Sequence, residues 1–280
     1  MTISRRDWLR SGLACALAAA GPQLALAAAP RTKKIPIGLQ VYSVREAAAK
    51  DLAGVLKAVG QMGYEGVEFA GYYGHQAKDI RKMLDDSGLK CCGTHIRLET
   101  LLGDEFARTV EFNQILGNRF LIVSWMPEAR FATVEVAKKT AALFNELAEK
   151  AKPQGMRVGY HAHGGDFKKV GDQTAWELFF SNTAPEVVMQ MDIGNCLGAG
   201  GDPYAILRKF PGRSATIHLK EHGGKRGAPL GEGEVRWQEI FEICETIGGT
   251  EWYIVEQESY AVPPLESVKL CLQNLRKMGK

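Results

Sequence analysis

Val187-Val188-Met189-Gln190-Met191-Asp192 is a short, largely apolar run that stops on a carboxylate. A strand buried on both faces has this form, and a polar residue just after it marks where the chain leaves the sheet. The pattern recurs. It predicts strands at Ile37–Val41, Gly66–Phe69, Lys90–Thr94, Phe120–Val123, Arg157–Tyr160, Val187–Met191, Ala215–Leu219 and Trp252–Val255. Between them, amphipathic segments beginning near Leu52, His75, Glu105, Ala132, Thr174, Pro203, Trp237 and Pro264 predict helices. Strands alternating with helices imply a parallel α/β sheet. Eight such units in a chain of this length favour a (β/α)8 TIM barrel over an open doubly wound sheet. No G-x-G-x-x-G follows the first strand, so a dinucleotide site of the Rossmann type has no support.

The N-terminus reads differently. Ser4-Arg5-Arg6-Asp7-Trp8-Leu9 is a twin-arginine signature, followed by an apolar stretch from Gly12 to Ala20 and a small-residue run, Leu24 to Ala29. This order predicts a removable export signal over residues 1–29 and a periplasmic or secreted barrel over residues 30–280. The apolar stretch is shorter than the roughly 18–20 residues that span a bilayer, so stable membrane insertion of the mature chain is not expected. The formal charge of +3 includes Arg5, Arg6 and Arg10, which leaves the remainder close to neutral. With no basic stripe, nucleic acid is not an expected partner. Of the six cysteines, Cys91, Cys92, Cys196, Cys244 and Cys271 follow the signal; their odd number and spacing do not form a disulfide framework. Oligomeric state is not encoded in any pattern of this kind.

In a parallel barrel the chemistry collects where strands run out at the C-terminal mouth. Taken in order, those positions hold Gln40, Glu68, His95, Trp125, His161 with His163, Asp192, His218 with Lys220, and Glu256. Four of them, His161, Asp192, His218 and Glu256, form a candidate ligand set. Two imidazoles and two carboxylates suit one divalent ion such as Mn²⁺, Zn²⁺, Co²⁺ or Fe²⁺. Lys220 lies two residues past His218, hence on the same side of the strand.

These residues carry a resemblance. Tyr160-His161-Ala162-His163, Asp192-Ile193-Gly194-Asn195, His218-Leu219-Lys220, Leu230-Gly231-Glu232-Gly233 and Val255-Glu256-Gln257 resemble the xylose isomerase-like barrel superfamily, the sugar phosphate isomerases/epimerases. The resemblance implies that Asp192, His218 and Glu256 bind metal, with His161 standing where a glutamate is common. It further implies a metal-dependent isomerase or epimerase acting on a sugar or keto-sugar through an enediolate. Glu256, Lys220 and His163 are then the expected catalytic groups. Gln40, Glu68 and His95 are expected to hydrogen-bond the substrate, and Trp125 to stack on its apolar face. The related ketose epimerases use two metal-bound glutamates, one on each face; with His161 coordinated, Glu256 is the one such carboxylate left. That favours one-face proton transfer. A lyase that opens keto-glycosides by β-elimination is the alternative enzyme, and a sugar-binding barrel without catalysis is the alternative outside enzymology. An abasic-site endonuclease, which shares the barrel, would need further ligands and a basic face that the sequence lacks. Export makes a free sugar, keto-sugar or glycoside the expected small-molecule partner rather than a phosphosugar.

Overall fold

The computed structural model describes residues 34–280, which fall within one compact unit, Thr32–Lys280. The twin-arginine stretch lies outside the described residues. Eight parallel strands form the sheet: β1 Ile37–Gln40, β2 Gly66–Phe69, β3 Lys90–Ile96, β4 Phe120–Val123, β5 Arg157–His161, β6 Val188–Gln190, β7 Thr216–Leu219 and β8 Trp252–Val255. Their spatial order is β6-β5-β4-β3-β2-β1-β8-β7. A parallel bridge between Asp192 and His218 joins the two outer strands, with the His218 amide donating to the Met191 carbonyl at 2.8 Å. The sheet thereby closes into the expected TIM barrel.

Alternation along each strand sorts its side chains into two cores. Leu39, Val67, Leu121, Val158, Met189, Ile217 and Tyr253 face outward and pack under the helices. Phe120, Ile122, Val188 and Ala215 fill the barrel interior, with Trp252 against them. Gly159 belongs to this interior, where a Cβ would come within 2.7 Å of the Val188 backbone and side chain. Two residues further along the same faces stand His161 after Gly159 and Gln190 after Val188, and on β7 His218 stands two residues past Thr216, whose Oγ1 bonds Gln190. The period of two thus carries an apolar interior upward into a polar mouth.

The helices follow their apolar spacing. Val134–Ala151 buries Ala137, Thr140, Ala141, Phe144, Leu147, Ala148 and Ala151, a three-and-four repeat facing the barrel. Its start differs from the expected Ala132 because Glu128–Phe131 form a 3-10 turn and Thr133 is extended, capping Val136 N–H at 3.2 Å. Likewise the helix expected near His75 begins at Ala77 after an extended Gln76. A small hairpin, Lys169–Val170 with Gln173–Thr174, and a one-turn helix, Ile193–Gly198, were not expected; both lie in loops at the mouth. Cys91, Cys92, Cys196, Cys244 and Cys271 are all buried as free thiols. Among the described residues no helix is long and apolar enough to cross a membrane.

Candidate metal centre

Each of the four expected ligands arrives on a different strand end. His161 closes β5, Asp192 follows β6, His218 lies in β7 and Glu256 follows β8. One ligand atom from each lies within 4.8 Å of the others, and all four residues are buried. His218 Nδ1 is 3.1 Å from Glu256 Oε2 and 4.0 Å from Asp192 Oδ2, and His161 Nε2 is 3.9 Å from Asp192 Oδ2. Atoms about 2.0–2.2 Å from one ion stand no more than about 4.4 Å apart, so the cluster needs only a slight contraction to share one.

Asp192 supplies the test of fit. Its Oδ1 accepts the Asn195 amide at 2.7 Å and caps the one-turn helix, whereas its Oδ2 is buried without a hydrogen-bond partner. A buried carboxylate oxygen left bare is costly unless a cation meets it. Burial pushes the Asp192 carboxyl up to about 7, Lys220 acting against it. The orphaned oxygen, the two imidazoles and the second carboxylate together fit a divalent ion.

Beneath the ligands lies a hydrogen-bonded floor. His218 Nε2 donates to Glu68 Oε2 at 2.6 Å, and Gln40 Nε2 donates to the same oxygen at 2.8 Å. Gln190 occupies the centre. Its Oε1 is 3.0 Å from His161 Nδ1 and 2.7 Å from His95 Nε2, and its Nε2 donates to Glu68 Oε1 and Thr216 Oγ1 at 2.8 and 2.9 Å. Partners of this kind fix which nitrogen a ligating histidine turns to its metal. Gly93 makes the floor possible, since a Cβ there would lie 2.3 Å from Glu68 Oε1. Sequence reading missed Gln190: a glutamine inside an apolar strand gives no outward signal beyond its rarity there.

The electrostatics follow from this packing. Burial drives His161 well below the usual imidazole range, helped by neighbouring His218, so it is a neutral donor. Burial also acts on His218, but Glu68 and Glu256 outweigh it and raise the imidazolium to about 10. Glu256 is held well down against its own burial by His218 and Lys220. His163 is shifted down by burial. Lys220 Nζ lies 3.8 Å from both Asp192 Oδ2 and Glu256 Oε2, and their charges together with Glu258 keep it protonated despite burial.

Above the cluster opens a cavity of about 590 Å³, lined among others by Tyr42, His95, Arg97, Trp125, His163 and Glu256. His95 and Trp125 thus stand where substrate contacts were expected. Gln40 and Glu68 do not. Both are fully buried in the floor, and the expectation of direct substrate contact is corrected: their polar atoms serve the ligands from below. Lys220 also differs from expectation. It is tied to Asn195 Oδ1 at 3.0 Å and to Glu258, and it lines a neighbouring cavity of about 310 Å³. That placement suits charge compensation of Asp192 and Glu256 better than contact with substrate.

Fold and site define a parallel α/β barrel with a four-residue cluster at its C-terminal mouth whose donors could hold one metal ion. Residues 56–278 match the family model of the xylose isomerase-like TIM barrel, and the chain belongs to that family. An inosose dehydratase of Serratia proteamaculans (strain 568) is 25% identical over 70% of this chain and 78% of its own. A sugar phosphate isomerase/epimerase of Parabacteroides distasonis ATCC 8503 is 28% identical, with a TM-score of 0.75 over 87% of this chain and 98% of that one. The IOLI protein with a bound zinc atom shares the fold, at 14% identity and a TM-score of 0.66 over 87% of this chain and 97% of that one.

Proposed function

We propose that this protein is a metal-dependent enzyme that breaks the C–H bond beside the carbonyl of a keto-sugar or keto-cyclitol and then eliminates a substituent. The observation that carries the reading is the buried set His161, Asp192, His218 and Glu256, with the bare Asp192 Oδ2, directly under a cavity of substrate size. Those four residues would hold the ion. When bound, a divalent ion supplies polarisation of the carbonyl and stabilisation of the enediolate charge.

The chain's own groups do the rest. His163 lines the cavity and is kept neutral by burial, so it has a lone pair to accept a proton near neutral pH. Lys220, held charged by Asp192, Glu256 and Glu258, in turn favours the ionised form of Glu256 and opposes the burial that raises Asp192. His161 brings no second carboxylate to the site, which leaves proton transfer to one face. Elimination and aldose–ketose isomerisation both work with one face; two-face epimerisation does not. The dehydratase relatives favour elimination, and the isomerase/epimerase neighbour favours the second reading.

Metal content of the purified protein, followed by incubation with a keto-cyclitol and a free ketose in D2O, separates these readings. Elimination gives an unsaturated product absorbing in the ultraviolet. Isomerisation gives deuterium at one carbon without unsaturation. Bound sugar with no exchange at any carbon would leave only a binding barrel. Export, supported by Arg5 and Arg6, completes the proposal: replacing both with Lys retains the precursor in the cytoplasm, and normal secretion of that variant would remove the route.

A further inference from the structure

His163 lines the cavity above the cluster, and its ring atom Nδ1 is buried with no hydrogen-bond partner. Two exposed glycines, Gly164 and Gly165, follow it in the chain, and glycine has the most backbone freedom to lose. What fixes His163 is its main chain. Its N–H donates to Asp166 Oδ2 at 2.7 Å and its C=O accepts the Asp166 N–H at 3.0 Å, so both polar groups of that backbone are tied to one residue. Asp166 is anchored in turn, because its Oδ1 accepts the Tyr160 hydroxyl at 2.8 Å. Tyr160 lies fully buried in β5, with the rings of Phe131, Phe144, Trp176 and Phe179 centred 5.6–6.2 Å from its own.

Asp166 is 6% exposed, and among the described residues no cation pairs with it. A turn needs a single acceptor, which Ser, Thr or Asn supplies without burying a charge. An ionised carboxylate accepts on both oxygens at once, whereas an amide would turn its NH2 toward one of the two donors. Burial pushes the Asp166 carboxyl up to about 6, the His163 N–H and the Tyr160 hydroxyl acting against it, so it is ionised at neutral pH and above. Burial drives the Tyr160 hydroxyl well above its usual range, so it keeps its proton and stays a donor. We propose that Asp166 is the positioning residue for His163: backed by Tyr160, it carries the rigidity of the aromatic core to the imidazole at the cavity wall. This rests on the reading of His163 as the proton acceptor and deepens it. A base must stand within hydrogen-bond reach of the proton it removes, and a misplacement of about 1 Å can cost about 100-fold in rate. Asp166 is not part of that cavity's lining, and it acts through His163 alone.

Amide hydrogen exchange read by mass spectrometry tests the clamp without turnover. Asp166→Asn and the near-isosteric Tyr160→Phe should each raise exchange over residues 161–167 and leave the barrel helices as protected as before. Unchanged protection of that segment in both variants would overturn the clamp. Proton exchange of a keto-cyclitol and a free ketose in D2O at pH 8, on metal-loaded protein, tests what the clamp is for. Asp166→Asn should lower that rate about 100-fold and Tyr160→Phe by less, with metal content unaltered. A double-mutant cycle with His163→Gln separates positioning from stability alone. In the His163→Gln background Asp166→Asn should cost nothing more, because the group it positions is gone. An equal loss in both backgrounds, or an unchanged rate in Asp166→Asn, would overturn the positioning role and leave His163 as the base. Exchange that survives His163→Gln, or none in the natural protein on either compound, would remove the base reading and the proposal with it.

Discussion

Gln190 Oε1 lies 3.0 Å from His161 Nδ1, and that contact turns the other imidazole nitrogen, Nε2, toward Asp192. The same oxygen meets His95 while the amide nitrogen meets Glu68 and Thr216, so one side chain steadies both histidines and the carboxylate below them. Gln190→Met keeps the volume and removes every one of these bonds. Metal affinity should fall about 10–100-fold, the usual loss when an outer-shell partner is removed. Competition with a chelator of known affinity measures it. Unchanged affinity would mean that the strand alone orients His161.

Asp192 has two jobs that substitution can separate. Asn in its place keeps an oxygen to accept the Asn195 amide but removes the negative charge facing His161 and His218. Asp192→Asn should therefore lose metal while the metal-free protein melts no lower than the natural one. Asp192→Ala should lose the metal and, with the helix cap, about 1 kcal/mol of stability. Melting curves of both variants in chelator, set beside their metal content, decide the matter.

Metal uptake should release protons. In the metal-free protein His218 is raised to about 10, so at pH 8 its Nδ1 carries a proton directed at Glu256 Oε2. An ion bound there must displace it. Calorimetry in two buffers of different ionisation enthalpy should show about one proton released per ion at pH 8. The same shift has a stability sign. Because the folded value exceeds that of the unfolded chain, about 6.5, this contribution is complete below about pH 6.5 and is lost as pH rises through about 10. Metal-free protein should accordingly soften toward alkaline pH more than the metal-loaded form, which no longer has that proton to lose.

His163→Gln addresses the proposed base. The amide retains polarity and approximate size but accepts no proton, and His163 is not among the four ligands. Exchange of the substrate proton in D2O should drop about 10²–10⁴-fold, with metal content unaltered. If exchange persists and Glu256→Gln abolishes it while metal is retained, Glu256 is the base.

Much of this molecule could be read before any coordinates. The positions of β2, β4 and β8 agree with the expected strands residue for residue, because buried parallel strands are short apolar runs with sharp ends. His161, Asp192, His218 and Glu256 were recognisable for a related reason: a polar group just beyond such a run has to emerge at the mouth. What a strand end does not reveal is depth. Gln40 and Glu68 also stand at strand ends and were expected to hydrogen-bond substrate, yet strand pairing sets Gln40 beside Glu68, and Glu68 accepts from both Gln40 and His218 in the buried floor.

Sequence by itself determined the barrel, its eight-fold alternation and the four residues that meet at the mouth, because hydrophobic period and strand-end chemistry are local properties. Only the tertiary structure decided which polar groups hold and which are held. Gln190, a lone amide inside an apolar strand, becomes the centre of the floor because closure between β6 and β7 brings Glu68, His95, His161 and Thr216 around it. Trp125 and His163, remote in sequence, both line the cavity above the cluster for the same reason. Those relationships depend on how eight strands stagger as they close, and no single stretch of chain contains that information.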